Sequence, residues 1–291
     1  MVLALERANR GRAAYYGTAP RKPAPPTRLR GWPAAAATLA CGAPVIFGFA
    51  LPAALLGRLA WSETGAVGMR MLGLITNSFS LAAMTAFIAV LFALTMAYAA
   101  RSSRSRAVAV VNRFVSLGYA VPGAVIAIGV LVPLGRLDNL LADWLEQTFA
   151  VKVGLLLTGT VTALIYAYLV RLLAVAFQTT EAGLAKITPS MEDASRSLGA
   201  SSTRTLLRVH APLLAPTLAT AALLVFVDVL KELPATFALR PFNFDTLAIE
   251  AYNLAKDERL AEAGIPSLVI VAAGLVPVIL VSRRLVRTGA P

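Results

Sequence analysis

Residues 189–212 read PSMEDASRSLGASSTRTLLRVHAP, a polar stretch enclosed by long apolar runs on both sides. Within it, 191–198 is rich in helix-forming side chains and carries acidic residues near its start, where negative charge complements the helix dipole. Gly199 suits a helix end or a sharp turn. A second short helix is predicted over 203–209, ended before Pro212. The stretch is therefore predicted to be a structured connection between two apolar segments.

The composition indicates a protein whose main solvent is not water. Hydrophobic residues make up 58% and charged residues 14% of the 291 residues, and the mean hydropathy is +0.72. Soluble domains carry roughly 45–50% apolar and about 25% charged residues. The formal charge of +12 clusters between the apolar runs, which favours orientation in a membrane over nucleic-acid binding. We therefore predict an all-α, polytopic membrane protein whose partners include membrane lipid.

Six apolar runs are long enough to cross a membrane, which requires about 20 apolar residues in a helix. The predicted spans are 31–57, 71–100, 114–135, 153–170, 209–227 and 263–282. The fourth span is short, so we expect Arg171 to lie at the membrane edge and to extend its guanidinium toward water. Residues 137–149 carry apolar side chains at helical spacing with acidic residues between them, and they predict a separate amphipathic helix in the interface.

Lysine and arginine are distributed unevenly between the connecting segments, and this asymmetry predicts the orientation of the spans. The basic segments are 1–30, 101–113 and 283–287, whereas acidic residues equal or exceed basic ones in 61–70, 136–152 and 236–262. The basic side is predicted to be cytoplasmic, so both termini and the connection 181–212 lie in the cytoplasm. Residues 1–30 then form a basic cytoplasmic connector that precedes a membrane domain over 31–291.

The cytoplasmic connection carries a spaced motif. Its members are Asp193-Ala194-Ser195, three residues, Gly199, nine residues, and Val209-His210-Ala211-Pro212. This pattern resembles the Glu-Ala-Ala loop of ABC-importer permeases, which is E-A-A, three residues, G, nine residues, I-x-L-P. The spacing matches throughout, while the family's Glu, Ala, Ile and Leu are replaced by Asp193, Ser195, Val209 and Ala211. An ordinary helix-turn-helix connector is the alternative interpretation.

The resemblance implies the six-helix fold of type I importer permeases and a loop that docks a cytoplasmic ABC ATPase dimer, where ATP is bound. Small residues at 194, 195 and 199 would permit close backbone approach to that partner. The predicted coupling residues are Glu192, Asp193, Ala194, Ser195, Gly199, Val209 and Pro212. The chain itself is predicted to hold no cofactor and to catalyse no reaction.

Further stretches extend the resemblance. They are YAVPG at 119–123, DVLKELPATFALRPFNFD at 228–245, and KDERL at 256–260. These stretches resemble the C-terminal six-span half of the ferric-iron branch of these permeases. The resemblance implies a bacterial inner-membrane importer of ferric iron, with a second six-span unit from the same or a different chain and a substrate-binding protein outside. A permease for thiamine or another small solute is the alternative.

Charged residues occur late in the fifth span. Asp228, Lys231 and Glu232 are spaced to share one helical face, and ionisable residues within a span are candidate functional sites. Lys231 can neutralise either carboxylate, so a gating or translocation role and a structural pairing both remain open, and Pro234 is predicted to break the helix. The charges predicted to face outward, toward a binding protein or solvent, are Arg240, Asp245, Lys256, Asp257, Glu258 and Arg259.

Several other function classes lack the residues that they need. Cys41 is the single cysteine and His210 the single histidine, which excludes an intrachain disulfide and a cysteine- or histidine-rich metal site. The sequence contains no phosphate-binding P-loop pattern and no grouping typical of a membrane enzyme. An ion-driven secondary transporter is favoured by Asp228 and Arg171 but leaves the loop around Gly199 unexplained.

Overall fold

A computed structural model of the chain describes residues 29–61, 68–103, 105–150 and 154–287. The predicted connector 1–30 lies almost entirely outside the described residues. The helices are α1 Trp32–Val45, a π-helical turn Ile46–Ala50, α2 Leu51–Trp61, α3 Met69–Ser102, α4 Arg106–Leu117, a 3₁₀ turn Gly118–Ala120, α5 Gly123–Phe149, α6 Val161–Leu184, α7 Pro189–Ser197, α8 Ser202–Thr205, a π-helical turn Leu206–His210, α9 Ala211–Leu230, α10 Pro234–Leu239, α11 Leu247–Lys256 and α12 Leu260–Arg287. No strand occurs among the described residues.

Among the described residues, six helices are long and apolar enough to cross a membrane, which confirms the predicted fold class. They are Trp32–Trp61, Met69–Ser102, Gly123–Phe149, Val161–Leu184, Ser202–Leu230 and Leu260–Ile279. The chain divides into two compact units, Met1–Leu51 and Pro52–Pro291. All the sites discussed below belong to the second unit.

The core of the second unit lies where α3, α6 and α9 pack together. The buried face of α3 is a stripe of alanines at helical spacing, Ala82, Ala86, Ala89, Ala93 and Ala97. Lipid is as apolar as these side chains, so helices in a membrane associate through close packing, which small residues permit. Larger side chains from α6, including Tyr168 and Phe177, fill the space opposite the stripe. This packing holds the middle of α3 against α6 and α9.

The third predicted span, 114–135, is interrupted in the structure. Pro122 disfavours the helical conformation at the residue before it, and Val121 is extended with ψ of 130°. A Cβ on Gly118 would lie 2.2 Å from the carbonyl oxygen of Val170, so this turn depends on glycine to approach α6. The spanning helix α5 therefore starts only at Gly123 and continues to Phe149.

The prediction of a separate interfacial helix over 137–149 is wrong, because these residues form the second half of α5. Asp138 does not face water but is fully buried. Its carboxylate accepts hydrogen bonds from the backbone N–H groups of Leu156, Leu157 and Thr158 at 2.9, 2.8 and 2.6 Å. The aspartate thereby holds the turn that leads into α6.

The fourth span begins later than predicted, and this changes the position of Arg171. Residues 154–160 are occupied by the turn that Asp138 holds, and Thr160 caps the first turn of α6 by accepting from the N–H of Ala163 at 3.4 Å. Arg171 consequently lies in the middle of α6 rather than at its end. Its guanidinium pairs with Glu232, so the prediction that it extends to water at the membrane edge is wrong.

The segment between α9 and α12, residues 231–259, folds back onto the spans. In α10, Thr236 is fully buried, and its hydroxyl lies 2.5 Å from that of Tyr168 in α6. In α11, Glu250 accepts a hydrogen bond from Arg70 at the start of α3, 2.8 Å away. Residues 256–259 are exposed, whereas Arg240 and Asp245 are half-buried and pair with each other. The segment is therefore largely a packed part of the fold, with one charged corner open to solvent.

Candidate functional site: the loop between α6 and α9

The helix α7 ends as its sequence predicts. Gly199 has φ of +78°, a left-handed conformation in which residues with a Cβ are disfavoured. The N–H of Gly199 donates to the carbonyl of Arg196 at 2.9 Å, and the N–H of Ala200 donates to the carbonyl of Ser195 at 3.1 Å. This pair of bonds is a Schellman motif, which satisfies the last carbonyls of the helix. The chain then reverses direction within a few residues.

The two helices of the loop are joined by a buried polar contact. The hydroxyls of Ser195 in α7 and Thr205 in α8 lie 2.9 Å apart, and both residues are buried. Ser201 caps α8 by accepting from the N–H of Arg204 at 3.3 Å. The loop is therefore a fixed helical hairpin.

The second short helix does not end before Pro212, which corrects the sequence-based prediction. Helical structure runs from Ser202 through a π-helical turn into α9, so the hairpin continues directly into the fifth span. Proline lacks an N–H and clashes with the carbonyl four residues earlier. The wider π turn immediately before Pro212 is typical of how a helix accommodates such a disruption.

The outer surface of the hairpin is an apolar groove with a basic rim, of about 510 Å³. Its lining residues are Met191, Ala194, Ser195, Leu198, Ala200, Arg204, Arg208 and Val209. Leu198 stands at the turn with 88% of its surface exposed. An exposed leucine beside a groove and two arginines is suited to bind an apolar surface that carries acidic groups.

The predicted coupling residues divide into two groups in the structure. Asp193, Ala194, Gly199 and Pro212 are exposed, and Val209 is half-buried, so these remain candidates for contact with a partner. Glu192 and Ser195 are buried in the chain itself. Glu192 pairs there with Arg101, and Ser195 contacts Thr205 while also lining the groove, so a coupling role for both stays a prediction.

Sequence reasoning treated Arg101 only as a charge that orients the spans. In the structure its guanidinium lies against the loop and pairs with Glu192 at 3.3 Å. Glu192 also pairs with Arg196, one turn further along α7, at 2.7 Å. No signal in a single sequence links Arg101 to a residue 91 positions later.

The charged group at the C-terminal end of α9 forms two ion pairs. Lys231 pairs with Asp228 at 2.9 Å, and this hydrogen bond raises the pKa of Lys231. Glu232 pairs instead with Arg171, which also lies over the ring of Tyr119 at 5.8 Å. The helix ends at Leu230 and a new one starts at Pro234, as the proline predicts.

These pairings limit what this charged group can do chemically. Glu232 is buried with a guanidinium partner, so its charge is already neutralised within the fold. A Cβ on Gly123 would lie 2.4 Å from the Oε1 atom of Glu232, which places the start of α5 directly against this carboxylate. The pair therefore joins α5, α6 and the end of α9. Among the described residues, no group of three or more metal-ligating side chains is present.

These features define a class of membrane protein: a bundle of spanning helices with a polar helical hairpin between two of the spans. The chain belongs to the family described as binding-protein-dependent transport system inner membrane component, which residues 89–288 match. The identification as an ABC-importer permease is thereby confirmed, and the chain is a multi-pass transport component.

Individual relatives carry different substrate names. The Fe(3+)-transport system permease protein FbpB 2 of Haemophilus influenzae is 30% identical over 208 residues, which cover 72% of this chain and 38% of that protein. PhnV of Salmonella typhimurium, whose name places it in a 2-aminoethylphosphonate transport system, is 30% identical over 133 residues, covering 46% of this chain and 50% of that protein. The chain thus spans half or less of the length of these relatives.

The fold is also found in a solved structure. A bacterial ABC transporter involved in the import of the acidic polysaccharide alginate aligns with a TM-score of 0.66 and 17% identity, over 89% of this chain and 96% of the other. At this identity the similarity concerns the fold alone.

Proposed function

We propose that this chain is one permease unit of an ATP-driven importer, and that the hairpin between α6 and α9 docks a cytoplasmic ABC ATPase. The observation that carries the proposal is the exposed Leu198 beside an apolar, basic-rimmed groove on a rigid hairpin. The hairpin continues into α9, so a force applied to it reaches a span directly. The distribution of lysine and arginine supports a cytoplasmic position for the hairpin and both termini.

The importer needs partners besides the ATPase dimer. One six-span unit does not enclose a path, so a second unit, from the same or a different chain, completes it. A substrate-binding protein outside the membrane delivers the substrate. ATP-driven closure of the ATPases moves the two hairpins, and the spans alternate between outward-open and inward-open arrangements.

Ferric iron is the proposed substrate. The support is the similarity to FbpB 2 over 72% of this chain, together with the ferric-branch stretches at 119–123, 228–245 and 256–260. The relatives named for 2-aminoethylphosphonate transport make that anion the second candidate. They match a smaller part of the chain, which favours iron.

The docking proposal is tested with the variant Leu198→Ser. Leu198 is 88% exposed, so its replacement removes a surface for a partner and little of the permease's own packing. We expect loss of ATPase co-purification with the permease. The matched control is Phe242→Ser, which changes a 99% exposed side chain in the turn after α10, away from the hairpin. Unchanged co-purification of the Leu198 variant would refute the docking role.

The substrate and the energy source are tested in proteoliposomes that contain the assembled importer and its binding protein. We expect uptake of ⁵⁵Fe(III) that requires ATP inside the vesicles and that persists when the proton gradient is collapsed. Uptake of 2-aminoethylphosphonate in place of iron would select the second candidate. Uptake that survives ATP removal but is abolished with the proton gradient would indicate an ion-driven transporter instead.

A further inference from the structure

Arg101 joins three parts of the chain at the hairpin. It lies in the last turn of α3, and its guanidinium donates to the carbonyl of Leu184 at 2.6 Å, to the carbonyl of Ile187 at 2.9 Å and to the carboxylate of Glu192 at 3.3 Å. The first carbonyl ends α6, the second lies in the following turn, and Glu192 belongs to α7. The exposed fractions of the Arg101 and Glu192 side chains are only 18% and 11%.

These contacts depend on the shape of arginine. A guanidinium carries several N–H donors in a fixed plane, whereas a lysine ammonium is a compact point charge. Three acceptors converge on that plane here: the backbone carbonyls of Leu184 and Ile187 and the side-chain carboxylate of Glu192. A cation at the end of α6 also complements the negative end of its helix dipole. Lysine would keep the charge but not the set of directed bonds.

A second side chain of α3 binds the other helix of the hairpin. Tyr98, three residues before Arg101 and therefore on the same face of the helix, donates its hydroxyl to the carbonyl of Ser202 at 3.1 Å. The tyrosine is buried and its ring packs against that of His210, with 5.4 Å between centroids. Both helices of the hairpin are thus attached to the same end of α3.

The opposite end of α3 is also anchored. Arg70, in the first turn, pairs with Glu250 of α11 at 2.8 Å. Between the two ends runs the close-packed alanine stripe against α6 and α9. The 34-residue helix α3 therefore connects the hairpin to the segment between α9 and α12, in addition to the direct connection through α9.

We propose that Arg101 is a positioning residue that fixes the hairpin to α3 and passes the ATPase-driven movement of the hairpin to the spans. The inference rests on the proposed docking function, but it concerns a different step. Leu198 and the groove serve attachment of the ATPase, whereas Arg101 faces the inside of the permease. Removal of Arg101 then leaves the ATPase bound and uncouples its hydrolysis from the permease.

The experiment uses Arg101→Gln and Arg101→Lys in the complete importer reconstituted in nanodiscs. Two quantities are measured: the amount of ATPase that co-purifies, and the stimulation of ATP hydrolysis by the substrate-loaded binding protein. We expect normal co-purification and a loss of stimulation of about fivefold or more for the Gln variant, the scale of a typical coupling between sites. The Lys variant should lie between the Gln variant and the wild type.

The matched control is Arg196→Gln. It removes a cation from the same carboxylate of Glu192, but Arg196 belongs to the same helix as that carboxylate, so this ion pair connects no second element. We expect stimulation close to that of the wild type. If this control loses stimulation as strongly as the Arg101 variants, the attachment to α3 is not the cause and the inference fails.

A readout on the permease alone covers the case in which a variant assembles poorly. Ser197 is exposed, and replacement of the single cysteine by Cys41→Ala allows a nitroxide to be placed at Ser197→Cys. We expect greater nitroxide mobility with Arg101→Lys and Arg101→Gln, and no change with Arg196→Gln.

Two outcomes overturn the inference while leaving the docking function intact. One is wild-type stimulation in both Arg101 variants, and the other is unchanged nitroxide mobility, each combined with loss of co-purification in Leu198→Ser. Loss of co-purification in the Arg101 variants themselves also overturns it, because Arg101 would then serve attachment. Failure of the docking function is recognised separately, by normal co-purification of Leu198→Ser.

Discussion

Replacement of Gly199 by alanine tests whether the shape of the hairpin turn controls ATPase docking. The residue has φ of +78°, and a Cβ at this position would meet no atom within 4 Å. The substitution therefore introduces no clash, and its cost is confined to the backbone. For a residue with a Cβ the left-handed conformation costs roughly 1–2 kcal/mol. We expect the docking-competent turn to be disfavoured by about 5–30-fold.

The assay is titration of the purified ATPase onto the permease in nanodiscs, with the Kd as the readout. Gly199→Ala should weaken binding within that range, since the ATPase must restore the turn. Gly199→Val should weaken it further, because a β-branched residue tolerates positive φ least. Gly199→Asn is the control: asparagine adopts the left-handed conformation more readily, so its Kd should lie close to that of the wild type.

The order of the Kd values of these three variants decides the test. If alanine, valine and asparagine weaken binding equally, contact at the glycine itself rather than backbone conformation controls docking. If none of them changes the Kd, the hairpin turn does not take part in docking, and the proposed role of the loop would be refuted.

Two further predictions concern the stability of the permease. Arg171→Gln and Glu232→Gln should each destabilise the fold by about 3–5 kcal/mol, because each leaves a buried charge without its partner. The double variant should be less destabilised than the sum of the two single variants. Strictly additive losses in thermal unfolding would contradict the pairing. Asp138→Ala should lower the unfolding midpoint, since each buried N–H left without an acceptor costs about 1–3 kcal/mol. Asp138→Asn keeps one carbonyl oxygen, so its unfolding midpoint should fall less than that of Asp138→Ala. Equal midpoints for the wild type and both variants would show that the turn before α6 does not depend on this carboxylate.

The parts of the site that were predictable from sequence are those with local causes. Gly199 ends α7 because only a residue without a Cβ adopts its conformation without cost, and Pro234 occupies the first position of a new helix, where its missing N–H costs nothing. The spacing from Asp193 to Pro212 identified the family for the same reason, since a motif is a property of neighbouring residues. Even here, the side chains that face a partner could not be separated from those that face inward.

The errors occurred where a distant residue competes with local preference. Residues 137–149 have the pattern of an interfacial helix, but Asp138 is turned inward by the N–H groups of 156–158. Arg171 would extend to water if it had no partner, and Glu232, 61 positions later, supplies one. Such pairings arise only after the spans have packed, so periodicity within a single segment does not contain them.

The sequence alone determined the membrane as solvent, the number of spans and the presence of a hairpin around Gly199, because apolar length, charge position and backbone conformation act over short distances along the chain. The tertiary structure decided where the spans begin and which charges are neutralised. It also decided that the hairpin is attached to α3 through Arg101 and Tyr98. These features depend on groups far apart in sequence that meet in a low-dielectric interior, where an ion or an N–H without a partner is costly.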